Sequence, residues 1–225
     1  MAVPLVFSWS GGKDSAMALH VLLRDPYYEV VSLLTTVTEG YERISMHGVR
    51  KELLRRQAES IGLPVEEVRI PPQCPNPIYE ARMAESVLRF REQGVLHFGF
   101  GDIFLEDLRV YREQKLMSAN MTALFPIWKI DTRALASTFV EDGFRAITVC
   151  IDPKKLDKAF AGRELDASFF RDLPPGVDPC GENGEFHTFV FAGPIFRSPI
   201  AVQVGQIVER DSFVFCDLFP KNEGE

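Results

Sequence analysis

The sequence predicts an α/β protein in which a parallel sheet with helices on both faces is joined to a smaller α+β C-terminal domain. In the first half of the 225 residues, apolar runs of strand length alternate with amphipathic helical patterns. Strands that alternate with helices indicate crossover connections and a parallel sheet. The runs are apolar at nearly every position, which is typical of strands buried on both faces.

Four strands and four helices are predicted in this first half. The strands are expected at residues 3–9, 29–37, 65–70 and 95–101, and the helices at 13–24, 47–61, 77–93 and 103–117. Gly62 and then Pro64 end the second helix. Because parallel sheets bind ligands at the carboxyl ends of their strands, we expect a site near residues 10–15, 35–39 and 99–102.

The pattern changes after about residue 120. A helix is predicted at 132–143 and a strand at 145–151, and a loop rich in proline and glycine follows. The last part alternates like a hairpin over 200–219. We therefore divide the chain into residues 1–120 and residues 121–225, with a single continuous domain as the alternative.

Composition and charge limit the partners. The formal net charge is −7, from 25 basic and 32 acidic residues, which argues against general nucleic-acid binding. The four cysteines form no CxxC pair, and no apolar run is long enough to span a membrane. The N-terminal stretch lacks the features of a signal peptide. We expect a cytoplasmic protein with reduced thiols and no membrane partner.

The strongest local motif is Ser-Gly-Gly-Lys-Asp-Ser at residues 10–15, directly between the first strand and the first helix. The glycines let the backbone approach a ligand, and the start of the helix offers unpaired N–H groups. The lysine adds a positive charge and the serines add hydroxyl donors. The motif predicts a phosphate site formed by Ser10, Gly11, Gly12, Lys13, Asp14 and Ser15. The alternative is a plain strand-to-helix turn capped by serine.

Asp14 is the unexpected member of this loop, because a carboxylate repels a phosphate. A Mg²⁺ ion between the two groups removes the conflict, since it binds both carboxylate and phosphate oxygens. Asp102 follows Gly101 at the end of the fourth predicted strand, where the ligand crevice is expected. We therefore predict Asp14 and Asp102 as metal ligands. The helix after Asp102 is rich in charged residues that could equally be a solvated face.

A second cluster of chemically active residues stands in the sequence DPCGENGEFHTFVFAGPIF at 178–196. Glu182, Glu185 and His187 lie within six residues of one another beside flexible glycines. Such a loop suits the binding of an amine, ammonium or carboxyl substrate; an acidic solvated loop is the alternative. Nothing in the sequence indicates an activated thiolate at Cys180. Thr35 and His47, near the end of the second strand and the start of the second helix, are candidates for contacts with an adenosine.

These motifs resemble those of a known family. Residues 10–15 resemble the PP-loop, the SGGxDS signature of ATP pyrophosphatases in the adenine nucleotide α-hydrolase superfamily. With GDI-x-x-x-DLR at 101–109 and CGENGEFHT at 180–188, the chain resembles the diphthine–ammonia ligase family over nearly its whole length. Archaeal and eukaryal members typically carry an acidic residue where this chain has His187, and the HTF version resembles the bacterial-type branch.

The resemblance implies a Rossmann-like (HUP-type) nucleotide-binding domain at 1–120 and an acceptor-substrate domain at 121–225. It implies a ligase that uses ATP to adenylate a carboxylate, releases pyrophosphate and then forms an amide with ammonia. In the family the acceptor is diphthine on elongation factor 2. We expect ATP and Mg²⁺ as cofactors, with ammonium and a carboxylate acceptor as substrates.

Roles for individual residues follow from the motifs and the resemblance together. The expected catalytic residues are Lys13, Asp14, Asp102 and Glu185. The expected ATP contacts are Ser10, Gly11, Gly12, Lys13, Asp14, Ser15, Thr35, His47 and Gly101. The expected substrate contacts are Glu182, Glu185 and His187.

Alternatives remain open from the sequence. One is an adenine-nucleotide-binding protein without ligase turnover, in which the loop with Glu182 would lie away from the nucleotide. Another is a PP-loop enzyme with a different acceptor; a tRNA-modifying enzyme of this kind would be expected to have a basic appendage or CxxC cysteines. The predicted hairpin at 200–215 could pair between subunits, so a homodimer is possible.

Overall fold

The computed structural model describes residues 2–40, 43–44, 48–210 and 212–221, which form two sheets and their helices. The strands are β1 (Val3–Ser8), β2 (Tyr28–Thr38), β3 (Arg43–Ile44), β4 (Val65–Ile70), β5 (His97–Gly99), β6 (Thr122–Leu124), β7 (Arg145–Ile151), β8 (Phe186–Ala192), β9 (Val202–Arg210) and β10 (Phe213–Pro220). The helices are α1 (Lys13–Arg24), α2 (Lys51–Ile61), α3 (Asn76–Glu92), α4 (Glu106–Met117), α5 (Thr132–Glu141) and α6 (Ala167–Asp172). Within these residues no helix is long and apolar enough to cross a membrane.

The first sheet has the parallel strand order β4-β2-β1-β5-β6, and β3 adds a short antiparallel pairing to β2. The chain runs outward from β1 through β2 to β4 and then returns to the other side of β1. The strand order therefore reverses between β1 and β5. At such a switch point the loops that follow the two strands separate and leave a crevice for a ligand. The crevice here lies between residues 9–12 and residues 100–105.

Helices cover both faces of this sheet, as the sequence predicts. Leu5 and Phe7 of β1 are fully buried in a core shared with α1 and α2, which contribute Leu19 and Leu53. Val6 points the other way, into a second core with α3 and α4. Because alternate residues of a strand face opposite sides, β1 has to be apolar throughout.

The second sheet is antiparallel, in the order β8-β7-β10-β9. Its buried residues, such as Ala146 and Phe189, join the same core as α1 and α2. The N–H of Val190 in β8 also donates a hydrogen bond to the carbonyl of Gly11, at 2.9 Å. The smaller α+β part predicted for the C-terminal half is therefore present, and it packs directly against the glycine-rich loop.

The structure differs from the sequence prediction mainly at the ends of elements. Strand β5 is shorter than the predicted strand at 95–101, because its pairing with β1 covers three residues. Helix α2 begins at Lys51 and not within the predicted stretch before it, because Arg50 has an extended backbone. Helix α6 was not predicted, since six residues are too few to show a helical period. Strand β6 pairs with β5, so the first sheet extends past residue 120; the division of the chain at that residue stays a prediction.

One buried glutamine ties the two sheets together. Gln57 of α2 is fully buried, and its amide nitrogen donates to the carbonyls of Gly11, at 3.1 Å, and Val190, at 2.6 Å. Its amide oxygen accepts from the indole N–H of Trp9, at 3.1 Å. All three groups lie next to the glycine-rich loop, so Gln57 fixes this loop against both α2 and β8.

We expect Gln57→Ala to lower the free energy of unfolding by about 2–4 kcal/mol, because the Trp9 N–H and the Val190 carbonyl lose their partner inside the protein. Urea denaturation checks this. Gln114→Ala changes an exposed glutamine in α4 and should shift the stability by less than about 0.5 kcal/mol. Equal stability of the two variants would contradict the bridging role.

Candidate functional site

The loop at residues 10–15 is closed by its own serines. The hydroxyl of Ser10 donates to the hydroxyl of Ser15, at 3.0 Å, and accepts from the N–H of Gly12, at 3.2 Å. The Ser15 hydroxyl donates to the Gly12 carbonyl, at 2.8 Å. Gly11 has a φ of +78°, a conformation that glycine adopts without strain. The loop is therefore a tight turn that leads directly into the N-terminus of α1.

Strand β8 of the second sheet completes this turn. The N–H of Lys13, the first residue of α1, donates to the hydroxyl of Thr188, at 3.0 Å. A side chain on Gly12 would place its Cβ 3.2 Å from the Thr188 carbonyl oxygen. The absence of a side chain at Gly12 thus allows the two backbones to approach. The predicted phosphate loop and the second predicted motif are in direct contact.

The ammonium group of Lys13 is buried at this contact. It lies 2.8 Å from both carboxylate oxygens of Asp14 and donates a hydrogen bond to the carbonyl of Cys180. Burial opposes the charge, but Asp14, Cys180 and Glu182 outweigh it and hold the pKa of Lys13 above its ordinary value. Burial also raises the pKa of Asp14, against the effect of the lysine. Lys13 therefore stays charged and joins α1 to the loop between α6 and β8 (the C-terminal loop).

Gly101 and Asp102 face this loop from the end of β5. A Cβ on Gly101 would lie 2.9 Å from the backbone of Asp14, so only glycine allows this close approach. Asp102 is buried and forms an ion pair with Arg112 of α4, with Nε and Oδ2 at 2.8 Å. The guanidinium of Arg112 also lies over the ring of Phe100, 4.4 Å from its centroid. Asp102 is thus held in place from the helix that follows it.

The C-terminal loop is organised by two carboxylates. Oδ1 of Asp178 accepts from the N–H groups of Cys180, at 2.8 Å, and Glu182, at 3.3 Å. Glu185 is buried, and its Oε1 accepts from the N–H of Asp178, at 3.1 Å, and from the Asn183 amide, at 3.2 Å. Both contacts fold the C-terminal loop back on itself.

Glu182 extends from the C-terminal loop to the loop that follows β5. Its Oε1 accepts from the N–H of Ile103, at 3.0 Å, and from the N–H of Phe104, at 3.4 Å. Burial raises the pKa of Glu182 to about 7, because the charged form loses contact with water. The carboxyl group therefore exchanges its proton near neutral pH, in a range useful for general base chemistry.

A cavity of about 270 Å³ lies between these loops at the switch point of the first sheet. Its walls come from four segments: the glycine-rich loop, the end of β5, the face of α4 and the C-terminal loop with the start of β8. The lining residues that belong to the predicted site are Ser10, Gly12, Lys13, Asp14, Ser15, Gly101, Asp102, Glu182 and His187. The structure thus brings together most of the residues that the sequence singles out.

The remaining predicted residues lie elsewhere or outside the described residues. Gly11 forms the turn of the loop and does not line the cavity. Thr35 is buried within β2 and does not line this cavity. Glu185 does not line it either, although its neighbours Gly184 and Phe186 do. His47 lies outside the described residues. The functional roles predicted for all of these residues stay predictions.

Sequence reasoning did not identify Thr188 or Gln57, and it left Arg112 open as part of a solvated helix face. Thr188 stands one residue after His187, so its place in the motif was a usable signal. Gln57 and Arg112 act through contacts between distant elements, and nothing in their neighbouring sequence indicates this. Cys180 contributes its carbonyl; burial raises the pKa of its thiol to about 12, so it is not a thiolate.

The cavity contains the two carboxylates predicted as metal ligands, but the described residues form no complete set of metal ligands. In the described part of the chain, no three His, Cys, Asp or Glu side chains are grouped so that they could hold a metal by themselves. Asp14 and Asp102 both line the cavity. Mg²⁺ in nucleotide sites is usually bound by one or two carboxylates together with phosphates. Asp14 and Asp102 match that number of carboxylates. In the structure they pair with Lys13 and Arg112, respectively, and Mg²⁺ binding stays a prediction.

Fold and site together define a class: an α/β protein with a mostly parallel sheet, whose glycine-rich strand-to-helix turn is contacted by a second, antiparallel sheet. Comparison with protein families agrees with this class and narrows it. The model described as "Diphthamide synthase N-terminal domain" matches residues 4–113, and the one described as "Diphthamide synthase C-terminal domain" matches residues 131–218. The chain belongs to this family. Its placement in a bacterial-type branch stays a prediction.

Curated relatives carry a consistent name. Proteins named diphthine–ammonia ligase from Schizosaccharomyces pombe and Danio rerio are 25% and 29% identical to this chain over 229 and 126 residues, respectively. These matches cover 93% and 52% of this chain, but 38% and 48% of the relatives. A protein of the same name from Bos taurus is 26% identical over 123 residues, 52% of this chain and 46% of the relative. The chain thus spans less than half of the length of these relatives.

The raised pKa of Glu182 predicts a pH dependence of stability. Between about pH 4.5 and pH 7 the folded protein holds a proton on Glu182 that the unfolded chain releases, so stability falls as the pH rises through this range. Glu182→Gln keeps an acceptor oxygen for Ile103 but removes the titration. Between about pH 5 and about pH 8, the free energy of unfolding of the unchanged protein should fall by on the order of 2 kcal/mol more than that of this variant.

Chemical denaturation at both pH values measures this difference. Glu92→Gln removes an exposed charge at the end of α3 and is the matched control, for which the change with pH should equal that of the unchanged protein. The prediction is wrong if the Glu182 and Glu92 variants show the same change.

Proposed function

We propose that this protein is an ATP-dependent ligase that adenylates a carboxylate, releases pyrophosphate and forms an amide with ammonia, as a diphthine–ammonia ligase does. The observation that carries the proposal is the single cavity lined by both the glycine-rich loop and the C-terminal loop. A nucleotide-binding protein without turnover would not need Glu182 and His187 at the phosphate loop. Family membership and the name of the relatives support the same activity.

The nucleotide half of the proposed site is the loop at residues 10–15. The N-terminus of α1 and the ammonium of Lys13 would bind the phosphates, with the serine hydroxyls as further donors. Lys13 is already held by Asp14 and by the Cys180 carbonyl. A phosphate at this point would become an additional acceptor for the same ammonium. We propose Thr35, His47 and Gly101 as contacts with the rest of ATP.

The proposed metal is Mg²⁺, with Asp14 and Asp102 as its protein ligands. Both carboxylates line the cavity, and Asp14 stands next to the loop that would bind phosphate. When bound, the ion would neutralise charge on the phosphates as pyrophosphate leaves. Arg112 would hold Asp102 in the orientation that this requires.

The acceptor half of the proposed site is the loop with Glu182, Glu185 and His187. The carboxylate oxygen of the acceptor attacks the α-phosphorus, and the bond to the bridging oxygen of pyrophosphate breaks. Ammonia then attacks the acyl carbon, AMP leaves, and the nitrogen gives up a proton. Glu182, with a pKa of about 7 in the cavity wall, is suited to take that proton.

Glu185 is proposed as the second acidic residue of the reaction. Its Oε1 holds the loop, and its Oε2 is buried without a hydrogen-bond partner among the described residues. A buried carboxylate oxygen that lacks a partner is costly. An ammonium ion next to it would supply the missing donor, which supports a role for Glu185 in ammonium binding or catalysis.

The acceptor itself is a narrower proposal. Diphthine follows from the name of the relatives; a PP-loop enzyme with another carboxylate acceptor remains the second candidate. We further propose a cytoplasmic protein without membrane or general nucleic-acid partners. We also propose a homodimer that forms through the edge strand β9.

The first test is ATP binding by Lys13→Met, which keeps the apolar stem of the side chain and removes the charge. We expect binding of MgATP to weaken by at least about tenfold, since a charge-assisted hydrogen bond contributes about 1.5–3 kcal/mol. Isothermal titration calorimetry measures it, and the variant's thermal unfolding curve checks that it folds. Lys129→Met, an exposed lysine outside the cavity, should bind as the unchanged protein does. Unchanged affinity in the Lys13 variant would exclude the loop as the ATP site.

The second test concerns products and the C-terminal loop. Turnover with ammonium and a carboxylate acceptor should release AMP and pyrophosphate. Chromatography detects the AMP, and a pyrophosphatase-coupled assay detects the pyrophosphate. Glu185→Gln should reduce this turnover by about tenfold or more while leaving the affinity for ATP within about twofold. ADP and orthophosphate as products would argue against the proposed chemistry. Equal loss of ATP binding and turnover would instead indicate that Glu185 belongs to the nucleotide site.

A further inference from the structure

Residues 177–182 of the C-terminal loop border two cavities. Cys180 and Glu182 line the cavity at the glycine-rich loop. Val177 and Pro179 line another cavity, of about 710 Å³, whose other walls include α5 and α6. Packing therefore supports this segment on fewer sides than it supports a strand or helix of the core. Hydrogen bonds have to carry more of its order.

Asp178 is the residue on which these hydrogen bonds converge. Its Oδ1 accepts from the N–H groups of Cys180, at 2.8 Å, and Glu182, at 3.3 Å. Its own N–H donates to Oε1 of Glu185, at 3.1 Å. Its Oδ2 accepts from the hydroxyl of Thr132, at 2.7 Å. Asp178 thus connects the C-terminal loop with the first residue of α5.

The start of α5 is a firm point of attachment. The side chain of Asp131 caps the helix by accepting from two N–H groups of its first turn, at 3.1 and 2.9 Å. Leu135 and Phe139 of the same helix are buried in the core. The thiol of Cys180 also donates to the carbonyl of Thr132, at 3.4 Å. Two contacts therefore join the C-terminal loop to a helix that the core holds in place.

The bonds of Asp178 extend into the proposed site. The carbonyl of Cys180 accepts from the ammonium of Lys13, and the carboxyl group of Glu182 accepts from the N–H of Ile103. Asp178 itself does not line the cavity at the glycine-rich loop. It can therefore affect the site only through the neighbours that it holds.

We propose that Asp178 is a positioning residue of the ligase site and that Thr132 orients it from α5. Asp178 in turn fixes Cys180, which holds the ammonium of Lys13. It also fixes Glu182, which holds the loop after β5. This proposal deepens the proposed ligase function and rests on it for the effect on turnover. The effect on the order of the C-terminal loop is measured without turnover.

Amide hydrogen exchange in the full-length protein, followed by NMR spectroscopy, tests the order of the loop. Thr132→Val keeps the shape of the side chain and removes its hydroxyl. We expect the amides of Cys180 and Glu182 to exchange about tenfold faster in this variant, because a hydrogen bond to a charged carboxylate contributes enough free energy for such a factor. Thr132→Ser keeps the hydroxyl and should exchange within about twofold of the unchanged protein.

Thr138→Val makes the same change at an exposed position of α5 and is the matched control. Its exchange at Cys180 and Glu182 should equal that of the unchanged protein. Equal exchange in the Thr132→Val and Thr138→Val variants would overturn the proposal. Exchange in Thr132→Ser as fast as in Thr132→Val would overturn it as well.

Asp178→Asn tests the same hydrogen bond from its other end and replaces the first variant if Thr132→Val does not fold. It keeps Oδ1 as an acceptor and replaces Oδ2 by an amino group, which cannot accept from the Thr132 hydroxyl. Its effect on exchange should match that of Thr132→Val, and the combined variant should exchange no faster than either one alone. Additive effects would contradict the hydrogen bond as the route of positioning.

Turnover separates this proposal from the ligase function. The assay uses MgATP, ammonium chloride and, as the acceptor, elongation factor 2 that carries diphthine. Thr132→Val should lower kcat by at least about tenfold and leave KM for ATP within about threefold, because Lys13 keeps Asp14 while Glu182 loses its position. Thr132→Ser should restore kcat.

The two measurements together distinguish the possible failures. If the unchanged protein releases no pyrophosphate with this acceptor but Thr132→Val still loses protection from exchange, the ligase function with diphthine fails and the anchoring of the loop stands. If turnover occurs and Thr132→Val has the kcat of Thr138→Val, the positioning role fails alone.

Discussion

The charge of Lys13 is the constraint on which the rest of the site depends. A buried ammonium without acceptors would cost several kcal/mol, so the fold must bring oxygen atoms to it. Asp14 supplies two from the same loop, and the Cys180 carbonyl supplies a third from a loop 167 residues away. The C-terminal part therefore has to pack on the glycine-rich loop for Lys13 to be buried at all.

Much of the fold and the site follows from local sequence. The alternation of apolar runs and helical patterns predicts the parallel sheet, since each pattern spans a whole element. The loop at residues 10–15, Asp102 and Glu182 could be identified because their chemistry is unusual at the ends of predicted strands or within a glycine-rich loop. The rule that ligands bind at the carboxyl ends of parallel strands then places these residues together, and in the structure they line one cavity.

What the sequence could not give are contacts between elements. Glu185 and Glu182 stand three residues apart with the same chemistry, yet one folds the loop and the other lines the cavity. That difference depends on the turn made by Asp178 and Gly181, not on residue type. Thr35 is buried within β2 and pairs with Glu67 of β4, a placement that its position in the sequence does not indicate. Gln57 matters only because Trp9, Gly11 and Val190 converge on it.

The two family models match separate stretches, but the hydrogen bonds make those stretches one unit. Backbone groups at the glycine-rich loop form hydrogen bonds with β8, and the N–H of Ile103, after β5, donates to Glu182. Arg43 and Arg50 both form ion pairs with Asp217 of β10. In a fragment without the second sheet, the Lys13 N–H would lose its acceptor, and the Lys13 ammonium would keep only Asp14. The first sheet can determine where the loop lies, but its conformation depends on both sheets.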